Sequence, residues 1–383
     1  LTLITRRGAD ISATDSLGQN LTELGKMKSK HSDKAFQRIQ EFLSRESFSG
    51  FTAEDLFIKQ FIPKGWGQDI AALSNMAEVL RNLHTAETHD HSNLKKLIER
   101  VVVYAQHSAV SPWRRPLTEK TRLGGYGYYL EHLNIILGCY QWIADDKYQA
   151  LNLRISEHLV SLTMEHPLRH ARLLPNVKMR WSADQAAILY SLWLYDHNNK
   201  TSMHVEPAAQ WLCVMQNQLT HTDTGLFQTE ALNVKPYSKQ PRGCSCAYMI
   251  YYMSYFAPHV AEQQWTRFKE HMLNSKLGMT GFREYLPSYK GKWTPDSGPI
   301  IAGNGIASSA LAMKTAAALN DVTTHQQLVK AADKALSVLM TFGYIPGVER
   351  LTRVGSDLLA SSILLAADTI TPSNNHSSLP LAS

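Results

Sequence analysis

From about residue 33 onward, apolar positions recur at intervals of three and four, while stretches that alternate apolar with polar are nearly absent. Tyr129, Leu133, Ile136, Leu137, Tyr140 and Ile143 mark one long amphipathic helix, and Ala186, Leu189, Tyr190, Trp193 and Leu194 mark another. The helices recur as a unit. Small or polar residues, often with glycine, open an apolar helix at GWGQDIAALSNM (near Gly67), GGYGYYLEHLNI (Tyr126), RWSADQAAILYS (Asp184), RGCSCAYMIYYM (Cys246), AGNGIASSALAM (Asn304) and RVGSDLLASSIL (Ser356). The steps between these openings run from 52 to 62 residues. More highly charged helices are expected between them, over 147–165, 205–219, 263–274 and 325–340.

One apolar and one amphipathic helix per unit make a helical hairpin, and six such hairpins predict an all-α fold. The expected architecture is an (α/α)6 toroid over residues 61–370, apolar helices inside and amphipathic ones outside. Residues 1–60 form an N-terminal helical extension in this reading, and 371–383, rich in Ser, Asn and Pro, a disordered tail. An open helical solenoid is the alternative. Closure would point all six inner helices the same way and gather their N-terminal loops at one mouth, where unpaired backbone N–H groups attract a ligand.

Composition narrows the function classes. With 44% hydrophobic and 19% charged residues the chain is globular, and it holds no run of roughly 20 apolar residues that would span a bilayer. The net charge of +6 is scattered rather than striped, which argues against nucleic acid as a partner. Four cysteines, Cys139, Cys213, Cys244 and Cys246, are too few and too uneven for a disulfide framework or a zinc ligand set. The opening LTLITRR is compatible with the end of a signal or membrane segment with its basic flank, hence with an upstream anchor and a periplasmic or membrane-associated location. Oligomeric state and compartment stay open, a homo-oligomer and the cytoplasm included. No GxxxxGK[ST], post-strand GxGxxG, HExxH or GxSxG occurs, so neither a cofactor nor a metal is called for.

Four constellations carry titratable chemistry. In GGYGYYLEHLN, Tyr126, Tyr128, Glu131 and His132 crowd one helix entrance, and His132 is the group whose ordinary pKa lies nearest neutrality. A histidine that only satisfies core polar groups is the competing reading. In RWSADQ, Trp181 and Asp184 precede an apolar helix, with Asp184 either its N-cap or an acid–base group inside the ring. In PRGCSCAY, Cys244 and Cys246 open another helix beside Tyr248, a position that favours thiolate, against the commoner outcome of inert buried thiols. The long irregular segment 285–309 carries Tyr285, Asp296 and Asn304, with Asp296 either a turn residue or a second carboxylate for Asp184 or Glu131.

The segments EHLNIILGCYQWI (131–143) and AAILYSLWLYD (186–196), with weaker echoes in WTRFKEHM (265–272) and NGIASSA (304–310), resemble the bacterial linalool dehydratase-isomerase family across roughly residues 65–315. That family is itself an (α/α)6 barrel. The resemblance implies that His132 matches the active-site histidine of its GHLN segment, with Glu131 in place of the glycine, and that Tyr248 matches a site tyrosine. It also implies two cysteines before the SLW helix, which this chain lacks; Asp184 stands where the second would be.

The function expected is cofactor-independent lyase or isomerase chemistry on a small hydrophobic alcohol. His132 and Asp184 would exchange the protons with help from Asp296, Cys244 or Cys246, and Tyr126, Tyr128, Glu131, Trp181, Tyr248, Tyr285 and Asn304 would line the site. Two alternatives come from other classes. One is a carbohydrate-active (α/α)6 enzyme with a sugar-like substrate, its paired carboxylates drawn from Asp184, Glu131 and Asp296. The other is a non-catalytic toroid that binds lipid, glycan or protein.

Overall fold

A computed structural model describes residues 32–45, 68–232, 239–276, 279–292, 294, 296–301, 303–342 and 358–370. Most of the expected N-terminal extension, the opening LTLITRR, the tail from 371 and the openings near Gly67 and Ser356 lie outside these residues. The described chain is all-α in character. Its helices are α1 (Ser32–Leu43), α2 (Gln68–Thr85), α3 (His91–Ala105), α4 (Gly127–Ile143), α5 (Gln149–Met164), α6 (Ser182–Asn199), α7 (Val205–Gln218), α8 (Gly243–Phe256), α9 (Pro258–Met272), α10 (Ile306–Ala318), α11 (Val322–Phe342) and α12 (Leu358–Thr369).

Two kinds of helix alternate. Buried positions fall all the way round α4, α6 and α8, so these segments are apolar on every side. In α3 only Leu94, Leu97, Ile98, Val101, Val102, Tyr104 and Ala105 are buried, a single stripe at three-and-four spacing. Asp90 caps α3 by accepting the Asn93 N–H at 2.8 Å, and Pro258 starts α9, where a missing N–H costs nothing. The expected second helices at 147–165, 205–219, 263–274 and 325–340 appear as α5, α7, α9 and α11.

Among the six more buried helices, α2 packs on α4, α4 on α6, α6 on α8, α8 on α10 and α10 on α12, and α12 in turn packs on α2. The other helices lie against these, α3 on α2 and α4, α5 on α4 and α6, α7 on α6, α9 on α8 and α11 on α10. The described part of the expected extension, α1, packs on α12 and α3, with the Ser32 hydroxyl donating to the Asp368 carboxylate. Close approach of α4 and α6 requires Gly138, where a Cβ would lie 2.7 Å from the Leu194 side chain. A buried polar knot fixes the rotation of α4. Asn134 donates to Ser156 and Ser191, each at 3.0 Å, and accepts from Asn152 at 2.6 Å.

Sequence patterning does not predict the short antiparallel hairpins β1 (Leu273–Lys276) with β2 (Met279–Phe282) and β3 (Ile300–Ile301) with β4 (Asn304–Gly305). The segment 285–309 is therefore anchored at its end, with Asn304 bridged to Arg283.

The starts of the buried helices are interlocked in a repeated way. Gly127 and Tyr128 of α4 donate their N–H groups to the carbonyls of Arg172 and Leu173, both at 3.1 Å. Ser182 of α6 donates to Thr229 at 3.0 Å, and Gly243 of α8 donates to Glu284 at 2.9 Å. In each case the acceptor belongs to the segment leading to the next buried helix. The expectation of free N–H groups at the mouth is thereby corrected for these donors, because the neighbouring unit already satisfies them.

Candidate functional site

The first two turns of α4, α6 and α8 bring Tyr128, Glu131, Asp184 and Tyr248 within electrostatic reach of one another. Glu131 is 0% exposed, and among the described residues no N–H or hydroxyl donates to either of its carboxyl oxygens. The Asp184 carboxyl acts on it as a neighbouring negative charge. Two neighbouring buried carboxyls disfavour double ionisation, so the pair retains a proton where solvated acids would lose both. Burial first, and then the neighbouring Asp184, push the Glu131 carboxyl well above its ordinary range. Burial raises Asp184 to about 7, with Asp296 adding to the rise and Glu131 opposing it. The pair thus gains or loses its second proton near neutrality.

Asp184, Tyr128 and Tyr248 are half-buried where their neighbours on the same turns are buried, so of the two carboxyls it is Asp184 that solvent reaches. Both phenols are pushed well above their ordinary range, first by burial and then by Asp184 and Glu131 in Tyr128 and by Glu131 in Tyr248. They remain neutral hydroxyls. The N-cap position of α6 belongs to Trp181, whose side chain makes no capping bond, so Asp184, three residues further on, is not the N-cap residue.

His132 lies one residue past Glu131, 1% exposed, its ring edge against Tyr128 at 4.9 Å between centroids. Nε2 is 3.7 Å from the Glu131 carboxyl, beyond hydrogen-bond reach, and neither ring nitrogen has a partner among the described residues. Burial first, and then the Lys314 charge, lower the imidazole to about 3. The expectation that His132 titrates near neutrality is corrected: Asp184 does so.

The remaining expected residues spread around this centre. Cys244 donates its thiol to Glu284 at 3.1 Å, and burial raises Cys244 and Cys246 far above the ordinary thiol range. The thiolate expectation is overturned, because loss of solvent outweighs the helix terminus. Asp296, 42% exposed, pairs with Arg242 at 3.0 Å rather than with Glu131 or Asp184, and it reaches Asp184 only through space. Tyr285 lies over the Arg242 guanidinium at 5.7 Å, and Tyr126 packs edge-on to Trp113 at 5.0 Å. Trp181 is half-buried at the α6 start in a backbone bridge to Glu230. Asn304 of β4 accepts from Asn274 of β1 at 2.7 Å, a structural engagement between the two hairpins.

Two clusters escaped the sequence reading. Arg242 and Glu284 form a buried ion pair at 2.8 Å, and Glu284 also accepts from Ser308 of α10. Deeper in the core, Lys314 of α10 contacts Glu78 of α2 at 2.6 Å and Asn75 at 3.0 Å. Arg81 of α2 donates to the hydroxyls of Tyr190 and Tyr255. Lys314 had a legible signal, a single charge inside the otherwise apolar and small-residue IASSALAMKTAAA. Among the described residues no group of His, Cys, Asp and Glu is placed to hold a metal ion, and no helix is long and apolar enough to cross a membrane.

No family model matches the chain. None of the curated proteins matches it either.

Proposed function

We propose that this chain is a cofactor-independent lyase or isomerase, an (α/α)6 toroid in which the Glu131–Asp184 pair exchanges protons with the hydroxyl of a small hydrophobic alcohol. The observation that carries this reading is the pair itself: a fully buried Glu131 whose carboxyl has no hydrogen-bond partner among the described residues, and a half-buried Asp184 whose charge acts on it and on Tyr128 and Tyr248. The succession of buried helices from α2 to α12 and back to α2 supports the toroid. A resemblance to linalool dehydratase-isomerase supports the substrate class.

Elimination of water needs an acid at oxygen and a base at the neighbouring C–H. Protonated Asp184 gives its proton to the alcohol oxygen, the C–O bond breaks with both electrons leaving on water, and a carbocation remains beside the Tyr128 and Tyr248 rings. The Asp184 carboxylate then takes a proton from the adjacent carbon, whose C–H electrons form the alkene, and the acid is regenerated. Glu131, fully buried, keeps the second proton while Asp184 is ionised.

The test is incubation with a panel of tertiary and allylic alcohols, read by headspace gas chromatography. Alkene formation that falls by about 10²- to 10⁴-fold in both Asp184→Asn and Glu131→Gln is expected. Undiminished turnover in either variant, or no alkene from any alcohol with the folded protein, overturns the proposal.

A further inference from the structure

Along the buried helices, polar side chains fall into two levels. The level further from the helix starts is bonded throughout. Lys314 of α10 donates to Glu78 of α2 at 2.6 Å, the Tyr251 hydroxyl of α8 donates to the other Glu78 oxygen at 2.8 Å, and Arg81 of α2 donates to the hydroxyls of Tyr190 on α6 and Tyr255 on α8. These bonds join helices that are not neighbours in the succession from α2 to α12, so the faces that carry them look across to the opposite helices. Nearer the helix starts the bonding stops. Ser74 precedes Glu78 by four residues and shares its face of α2. Ser245 precedes Tyr248 by three, and Tyr248 packs on Tyr252 at 4.7 Å, which in turn lies 4.8 Å from Tyr190. Among the described residues neither serine hydroxyl has a hydrogen-bond partner, and neither do the two carboxyl oxygens of Glu131 or the two ring nitrogens of His132. Ser74 and Glu131 are 0% exposed, His132 1% and Ser245 8%. Buried polar groups are bonded as a rule, and a run of unbonded ones at one level marks a place where the partner comes from outside the chain.

The spacing of Glu131 and His132 selects that partner. Nε2 and Oε1 lie 3.7 Å apart, too far for a direct hydrogen bond, and a single oxygen atom about 2.8 Å from both closes a triangle on that base. A neutral imidazole offers one N–H and one bare nitrogen, and a protonated carboxyl likewise offers a donor and an acceptor. A hydroxyl donates and accepts at once, so it fits either arrangement of those protons. A carboxylate or phosphate would bring a further negative charge to the two acids of the site, and an ammonium would give up its water to carboxyls whose ionisation burial already opposes.

We propose that Glu131 and His132 hold a second hydroxyl of the substrate, so that the ligand class is a diol: one hydroxyl meets Asp184, the other bridges Glu131 Oε1 and His132 Nε2, and the hydrocarbon part lies against Tyr128 and Tyr248. For the first hydroxyl the inference rests on the acid–base reading of the Glu131–Asp184 pair. For the second it rests on the unbonded level of Ser74, Glu131, His132 and Ser245. His132 then acts as a specificity residue: it selects the substrate by hydrogen bonding and takes no proton from it.

The probes are cyclohexanol and its positional diols, titrated into the full-length chain and read by saturation-transfer NMR of the ligand. The best-placed diol should bind at least about tenfold more tightly than cyclohexanol, since the mono-alcohol leaves buried donors and acceptors unpaired. His132→Phe keeps a ring against Tyr128 and removes both nitrogens. It should reduce that ratio to about threefold or less, and it should not lower the thermal midpoint, because no hydrogen bond within the protein is lost. Equal binding of mono-alcohol and diols, the outcome if water alone occupies the bridge, overturns the proposal, as does failure of every probe to bind. A diol preference that survives in His132→Phe overturns it as well. So does a His132→Phe chain that unfolds or melts markedly lower, since the imidazole would then be bonded within the core. The readout is affinity, not turnover: alkene formation without a diol preference defeats this inference alone, and a diol preference without alkene defeats the lyase reading alone.

Discussion

Replacing Asp184 by Asn removes one ionisation from a buried pair while keeping shape and hydrogen-bonding capacity. The Asp184 carboxyl moves from an ordinary value of 3.8 to about 7 in the folded chain, with burial the principal cause. A raised acid means that the native state binds more protons than the unfolded state between these two values. Its stabilising share is fully present below about pH 4 and is lost as pH rises through 7. Three units correspond to about 4 kcal/mol in total, of which about 3 kcal/mol falls between pH 5 and 8. Asp184 is half-buried, so water softens the effect, and a loss of about 2 kcal/mol over that window is expected. The amide introduced by Asp184→Asn cannot ionise at any pH. Urea unfolding of both proteins at pH 5, 6, 7 and 8, followed by tryptophan fluorescence, should give a falling stability for the parent and a flatter one for Asp184→Asn, which becomes the more stable at pH 8. Parallel pH profiles would show that Asp184 is ionised in the folded protein at pH 5 and would refute the proton-retaining pair.

Three further outcomes test the frame around the pair. Gly243→Ala should cost about 3 kcal/mol or more in unfolding free energy, because the new Cβ would lie 2.0 Å from the Arg283 carbonyl oxygen at the α8 interlock. A maleimide reagent should modify Cys213, which is exposed, far faster than buried Cys139, Cys244 and Cys246, as counted by mass spectrometry of the native protein. Asn134→Leu should lower the thermal midpoint by several degrees, since Ser156, Ser191 and Asn152 lose their common partner in the core.

The helices were legible because each repeats its burial pattern over several turns: α4 and α6 announce themselves through Leu133, Ile136, Tyr140, Leu189 and Trp193. Hairpins such as Ile300–Ile301 with Asn304–Gly305 are too short to carry any period, and sequence patterning passes over them. Glu131 and Asp184 were each visible near a helix start, but their electrostatic coupling is a tertiary fact, set by how α4 packs on α6. Asn304 read as a site residue and is instead tied to Asn274, because a hairpin that no local pattern reveals recruits its amide. Likewise the thiols of Cys244 and Cys246 sit at a helix terminus, yet the Glu284 carboxyl that faces Cys244 comes from a segment 40 residues away.

The exchange of roles between His132 and Asp184 follows from one physical rule acting on two signs of charge. Burial penalises whichever form is ionised, so it drives an acid upward from 3.8 and a base downward from 6.5. In a dry helical core the histidine is pushed away from neutrality and the carboxyl is pushed toward it. A near-neutral ordinary pKa therefore identifies the proton-exchanging group only where solvent still reaches it. Here the side chain that begins further from neutrality, Asp184, ends nearer to it, because burial removes the water that would stabilise its charge. The same reasoning gives Glu131 its part. Burial, with Asp184 beside it, pushes the Glu131 carboxyl upward as well, so the pair keeps a proton where two solvated acids would hold none.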